Sequence, residues 1–162
     1  MSEVPDGVNL NVRERGAPRP TATMTLTRDG PDGVEVLLGL RSPTMRAFPN
    51  YWAFPGGGVS RVDHAAVEAL PALAGPEAAS VACIMREMSE ELGLAASDEG
   101  AVLLRPEDRN AIVDDKSKWL PLALEDAFPV DRTNIRTLSH RITPPFGPCL
   151  LYTSPSPRDT LL

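Results

Sequence analysis

Residues 86–94 read REMSEELGL and set three carboxylates, Glu87, Glu90 and Glu91, within five residues. At about 3.6 residues per helical turn, Val81, Ile84, Met85, Met88 and Leu92 make one apolar stripe, and the three glutamates share the neighbouring face. Arg86 stands four residues before Glu90, close enough to pair with it. Like charges one turn apart repel by roughly a few tenths of a kcal/mol per pair. Two readings fit. Charged runs of this kind are common on solvated helix faces. Alternatively the carboxylates are gathered around a hard divalent cation, Mg²⁺ or Mn²⁺, which prefers oxygen ligands and turns the repulsion into attraction.

Upstream of the helix, Thr21–Thr27 (TATMTLT) alternates with Ala22, Met24 and Leu26 on one face, a strand pattern. Arg28–Gly33 (RDGPDG) is rich in turn residues, and Val34–Leu40 (VEVLLGL) predicts a second, central strand, so 21–40 forms a hairpin. Tyr51–Pro55 (YWAFP) is a short aromatic strand that runs into Gly56, Gly57 and Gly58. Three glycines there imply a sharp turn or a close approach of the backbone to something else. Asp63 is placed to cap a short helix, HAAVEAL, which Pro71–Gly75 ends. A second helix is expected from Pro76 to about Leu92, with Gly93 as its left-handed stop. Beyond it the pattern predicts a strand at Val102–Leu104, helices at Pro106–Asp115 and Leu122–Phe128, and a strand at Asn134–Thr143. Residues 1–19 read as a flexible arm.

A strand ending in W-x-F-P-G-G, followed by a helix carrying R-E-Met-x-E-E-x-G-Leu, resembles the Nudix hydrolase family, whose box is written Gx5Ex7REUxEExGU with U a bulky aliphatic. Arg86 to Leu94 matches that box at every defined position. The other half departs from it. With Gly57 as the box glycine, Asp63 stands where the first Glu belongs, but Arg86 then comes 15 residues late. Counting back from Arg86 gives Ala78, and Glu77 misses by one. The first Glu of the box is therefore unassigned, and the loop HAAVEALPALAGPEAA reads as an expansion.

The resemblance implies an α/β fold, the Nudix α/β/α sandwich with a mixed β-sheet, over residues 20–148. It implies a metal-dependent hydrolase that cleaves the diphosphate bond of a nucleoside diphosphate linked to another moiety. Glu87, Glu90 and Glu91 are then the metal ligands, with the Gly57 carbonyl as a further one, and Arg86 positions a glutamate. A later carboxylate is expected among Glu107, Asp108, Asp114 and Asp115. LLGLRSPTMR before WAFPGG, and RITPPFGP at 141–148, are similar to segments of coenzyme A diphosphatases. Coenzyme A-like substrates come first for that reason, with Arg41 and Arg46 meeting phosphates. AFPNY stands in place of the His-x-Gly-Gln stretch of many coenzyme A enzymes. The competing readings are a non-catalytic Nudix-like nucleotide-binding domain and an inactive truncated fragment.

Bulk composition is consistent with this. The 162 residues suffice for one domain, and 42% apolar with 23% charged residues is a globular balance. A net charge of −6 argues against nucleic-acid or anionic-membrane surfaces, which attract basic patches. It leaves room for a small diphosphate whose charge a metal neutralises. No run approaches the roughly 20 apolar residues of a membrane span. Two cysteines, Cys83 and Cys149, make no disulfide framework, and a cytoplasmic location is expected. Oligomeric state is not legible. His64 and His140 match no ligand spacing, Cys83 reads as core, and Trp52 and Trp119 as packing residues.

The last stretch changes character. Cys149–Asp159, CLLYTSPSPRD, is the translation of one frame of a transposon-end adapter used in sequencing libraries. The expectation is that 149–162 is adapter read-through, with the C-terminal strands and helix of the fold missing. The sheet would then have an unpaired edge and an uncovered apolar face.

Overall fold

The computed structural model describes residues 19–44 and 49–140. The expected N-terminal arm up to residue 18, Arg46, the RITPPFGP stretch and the 149–162 tail lie outside them. In chain order the elements are β1 (Thr21–Thr23), β2 (Thr27–Gly30), β3 (Gly33–Val36), β4 (Gly39–Leu40), β5 (Trp52–Ala53), β6 (Gly56–Gly58), α1 (Arg61–Ala69), α2 (Ala78–Glu87), β7 (Leu94–Ser97), β8 (Gly100–Leu103), α3 (Pro106–Asp114) and α4 (Trp119–Leu124). Short 3₁₀ turns occupy Pro71–Leu73 and Lys116–Lys118, and α2 runs into a π-helical turn at Met88–Leu92. No helix among the described residues is long and apolar enough to cross a membrane.

The strands pair as four antiparallel two-stranded ladders: β1 with β6, β2 with β3, β4 with β5 and β7 with β8. The expected continuous mixed sheet is not formed among the described residues. Alternation holds in the first segment: Ala22 and Met24 are buried between exposed threonines. The predicted strand 21–27 is nevertheless split, since β1 ends at Thr23 to pair with the glycine strand and Thr27 opens β2. Val34–Leu40 is likewise two strands, and it is not central. Val34, Val36 and Leu40 are exposed, because the described residues bring no layer over either face of that hairpin. Trp52 is exposed too, which corrects its reading as a packing residue, while Trp119 is 1% exposed and does pack.

The core lies under the helices. Val81, Ala82 and Met85 of α2 meet Ala66, Leu73, Ala95, Ile112, Trp119 and Phe128, and the Trp119 and Phe128 rings stand 6.2 Å apart. Docking the predicted stripe of α2 buries it as the 3.6-residue period requires. The α-helix begins at Ala78, later than expected, because Glu77 adopts a left-handed conformation (φ 56°) and forms its N-terminal boundary. Gly93 ends the following turn at φ 67°, as a left-handed stop. A hairpin, β7–β8, takes the place of the single strand expected at Val102–Leu104. Ser97 Oγ donates to Gly100 O across its turn (2.9 Å). Asn134–His140 is not a strand, and 141–143 lie outside the described residues. Arg19–Arg136 form one compact unit, which does not include Thr137–His140.

Candidate active site

Two local features build the site. The first is the glycine strand. β6 pairs with β1 through Gly56, Gly57 and Gly58, opposite Thr23, Ala22 and Thr21, and lies along the glutamate face of α2. A Cβ on Gly57 would fall inside the Glu87 carboxylate. A side chain there would displace the flexible end of Glu87, whereas at Gly56 (φ 148°) a Cβ would collide with the Ala22 backbone carbonyl, so close approach requires glycine at Gly56. The second feature is the start of α1. Ser60 is its N-cap, correcting the assignment of Asp63 to that place. Asp63 sits at the third helical position instead, and its Oδ2 accepts from the Ser60 backbone N–H (2.7 Å) and hydroxyl (2.9 Å).

Arg86 joins these features. Its guanidinium is buried and donates to Asp63 through Nε (2.7 Å to Oδ1) and Nη2 (3.2 Å to Oδ2). Nη1 reaches Glu87 Oε1 at 2.9 Å and Glu90 Oε2 at 3.1 Å. Nη2 also donates to the Gly58 carbonyl (3.4 Å). One planar fork thus orients three carboxylates and the glycine strand, a task suited to arginine. Burial opposes its charge, but the Asp63 bond and the charges of Asp63 and Glu87 outweigh this and raise its pKa above the ordinary value.

Asp63, not Glu77 or Ala78, is the position whose side chain Arg86 meets. It is six residues past Gly57 and makes the buried pair with Arg86 although 23 residues separate them. The intervening chain is accommodated as the rest of α1, the 3₁₀ turn and the loop to Glu77. Arg132 closes that loop, with Nη1 donating to the carbonyls of Leu73 (2.9 Å) and Ala74 (3.1 Å) and Nη2 to that of Pro76 (2.8 Å). The Gly57-to-Asp63 spacing was the available signal. The late arrival of Arg86 masked it.

Glu91 points to the same strand, where its Oε2 accepts the Gly56 N–H (3.2 Å). Partial desolvation of this otherwise solvent-exposed side chain pushes its carboxyl above the ordinary range. The Gly56 bond works the other way, Glu87 and Glu90 add to the rise, and Arg41 counters it. Arg41 is therefore within electrostatic reach of Glu91. Its backbone is set by bonds to Tyr51 and Asn50.

Among the described residues no three His, Cys, Asp or Glu side chains lie close enough together to hold a metal ion. Glu87 and Glu90 are each engaged by Arg86 through one oxygen. The donor chemistry, all carboxylate and carbonyl oxygen beside a glycine cradle, fits a hard divalent cation. The Gly57 carbonyl accepts from the Cys83 thiol (3.6 Å). That thiol is fully buried and pushed up to about 12, by burial first and then by Asp63, so it stays protonated, in keeping with a core role. Of the later carboxylates, Asp108 is buried and takes Arg105 Nε at 2.6 Å, Glu107 lies 3.8 Å from the same nitrogen, and Asp115 accepts from the Ser117 N–H.

No family model matches the chain, and no curated protein matches it. Among solved structures, the crystal structure of a Nudix hydrolase from Alicyclobacillus acidocaldarius is similar, with 24% sequence identity and a TM-score of 0.64. The match covers 80% of this chain and 64% of the neighbour, so the chain spans less than two thirds of that protein's length. The likeness establishes that this α/β chain has the fold of a Nudix hydrolase.

Proposed function

We propose that the chain is a pyrophosphohydrolase of the Nudix type, acting on a small-molecule nucleoside diphosphate linked to another moiety, with coenzyme A-like compounds first. The observation that carries the reading is the Arg86 hub, which holds Glu87 and Glu90 against a glycine strand that also receives Glu91. Hydrolysis of a diphosphate brings negative charge together, and a divalent ion, Mg²⁺ or Mn²⁺, neutralises it and activates water when bound. Glu87, Glu90 and Glu91 are the residues that would hold it, with the Gly57 carbonyl beside them. Arg86 keeps Glu87 and Glu90 oriented. Arg41 binds the substrate phosphates, and Arg46, outside the described residues, is assigned the same role from its sequence context.

A second reading is a non-catalytic Nudix-like binding domain. It is favoured by the engagement of two of the three glutamates with Arg86. A Mg²⁺-dependent hydrolysis screen of coenzyme A, ADP-ribose, NADH and dinucleoside polyphosphates separates the two. Turnover that vanishes in Glu90→Gln and Glu91→Gln, in chains that still melt cooperatively, supports the enzyme. Full activity in both variants removes the assignment. Binding of these compounds without turnover leaves the binding domain.

A further inference from the structure

The glutamates Glu90 and Glu91 do not sit on an α-helical turn. Met88–Leu92 is π-helical, and the Gly93 N–H is shared between the carbonyls of Met88 and Ser89, five and four residues back. Such wide turns cost backbone geometry and need something to hold them. Ser89 lies at their centre, 1% exposed, at a position where the box leaves the residue undefined. Its Oγ is 3.0 Å from the Met85 carbonyl and 3.1 Å from that of Leu94. One hydroxyl proton serves one of these at a time. A serine hydroxyl bonded back to the carbonyl four residues earlier competes with the helix's own ladder. The oxygen is also an acceptor: Trp119 of α4, 30 residues away, donates its indole N–H at 3.1 Å. From α3, Arg109 takes the Glu91 carbonyl (3.2 Å).

We propose that the buried Trp119–Ser89 hydrogen bond holds this turn wide, making both residues positioning residues for Glu90 and Glu91. The geometric effect is specific. At about 100° per residue, a residue four positions on overshoots its predecessor by about 40° in an α-helix. A wider turn rotates less per residue and swings Glu91 back from that overshoot, and in the structure Glu87 lies against Gly57 while Glu91 accepts the Gly56 N–H. The inference rests on the functional reading above only in taking the trio as the cation-holding group.

The test uses the full chain and the variants Ser89→Ala, Trp119→Phe and their double, with Ile112→Val as a control for simple core loosening. Amide hydrogen exchange is followed at 88–93, and Mn²⁺ affinity is measured by its paramagnetic signal well below the melting temperature. Both single variants are expected to speed exchange at this turn and to weaken Mn²⁺ binding by roughly tenfold. The double is expected to be no worse than the weaker single, because the two residues share one bond. Ile112→Val is expected to lower the melting temperature while leaving both readouts unchanged. Unchanged exchange at 88–93 in Ser89→Ala overturns the proposal, whatever the metal result and whether or not Trp119→Phe folds. If the wild-type chain binds no Mn²⁺, the functional reading fails and exchange alone decides the positioning role.

Discussion

Asp63 and Arg86, far apart in the chain, meet as a buried pair with bonds of 2.7 and 3.2 Å, and the same arginine reaches Glu87 and Glu90. The glutamates are therefore oriented by a residue on another helix, through an intermediary. The pair bridges the long segment between the two helices.

The first prediction concerns that pair. Both side chains are essentially inaccessible, so Asp63→Asn leaves a buried guanidinium without its main counter-charge. Removing one partner of a buried pair costs about 3–5 kcal/mol. Urea denaturation measures it. A loss under about 1 kcal/mol contradicts the central place given to this contact, since only surface pairs are that weak.

Gly57 gives the second. Gly57→Ala puts a methyl group against the Glu87 carboxylate, and the flexible end of that side chain must shift from its place beside Arg86. Because the displaced group is the end of a flexible side chain, the stability cost is expected at the low end of overpacking, about 1 kcal/mol. Activity, where present, falls by roughly tenfold or more from displaced ligand geometry. Steady-state kinetics beside a melting curve checks both. A fully active Gly57→Ala shows that Glu87 is not needed where it stands.

The pH dependence of Glu91 is the third. Partial desolvation, with Glu87 and Glu90 adding to it, raises its folded-state pKa, so the fold favours the neutral carboxyl. Its contribution to stability is complete on the acid side of the ordinary carboxyl range and is lost as pH rises through the raised folded value. At about pH 7 the ionised group is then a burden. Glu91→Gln is expected to melt above wild type there, and the gap to close toward about pH 4. Added Mg²⁺ is expected to raise the wild-type melting temperature and not that of the variant. Melts across this range, with and without the ion, test the sign. A variant that melts below wild type at neutral pH reverses it.

Arg132 carries the fourth. Its side chain bridges three carbonyls of the loop before α2. Arg132→Ala removes charge-assisted bonds and is expected to cost about 1–3 kcal/mol. It also opens Ala74–Pro76 to protease, as local opening requires. Limited proteolysis with mapping of the cut site reads this out. Cleavage elsewhere at an unchanged rate would show that the loop holds itself.

What the chain reveals without its fold is local. The trio at 87, 90 and 91, the stripe from Val81 to Met88 and the stop at Gly93 follow from helical periodicity and from the left-handed freedom of glycine, both properties of neighbouring residues. Arg86 with Glu90 follows in the same way, being four residues apart. Tertiary closure decided the rest. Asp63 became the partner of Arg86 only because the chain after α1 turns back into α2 beside it. Gly56 proved necessary only because the Ala22 backbone lies against it, and only the fold sets Gly57 against the end of Glu87. Trp119 could not be connected to Ser89 from spacing, since nothing in a 30-residue separation encodes a contact. The apolar run Val34–Leu40, which reads as an interior strand, is exposed. Apolar character records a tendency to be buried, and whether a layer arrives to cover it depends on the packing of distant segments.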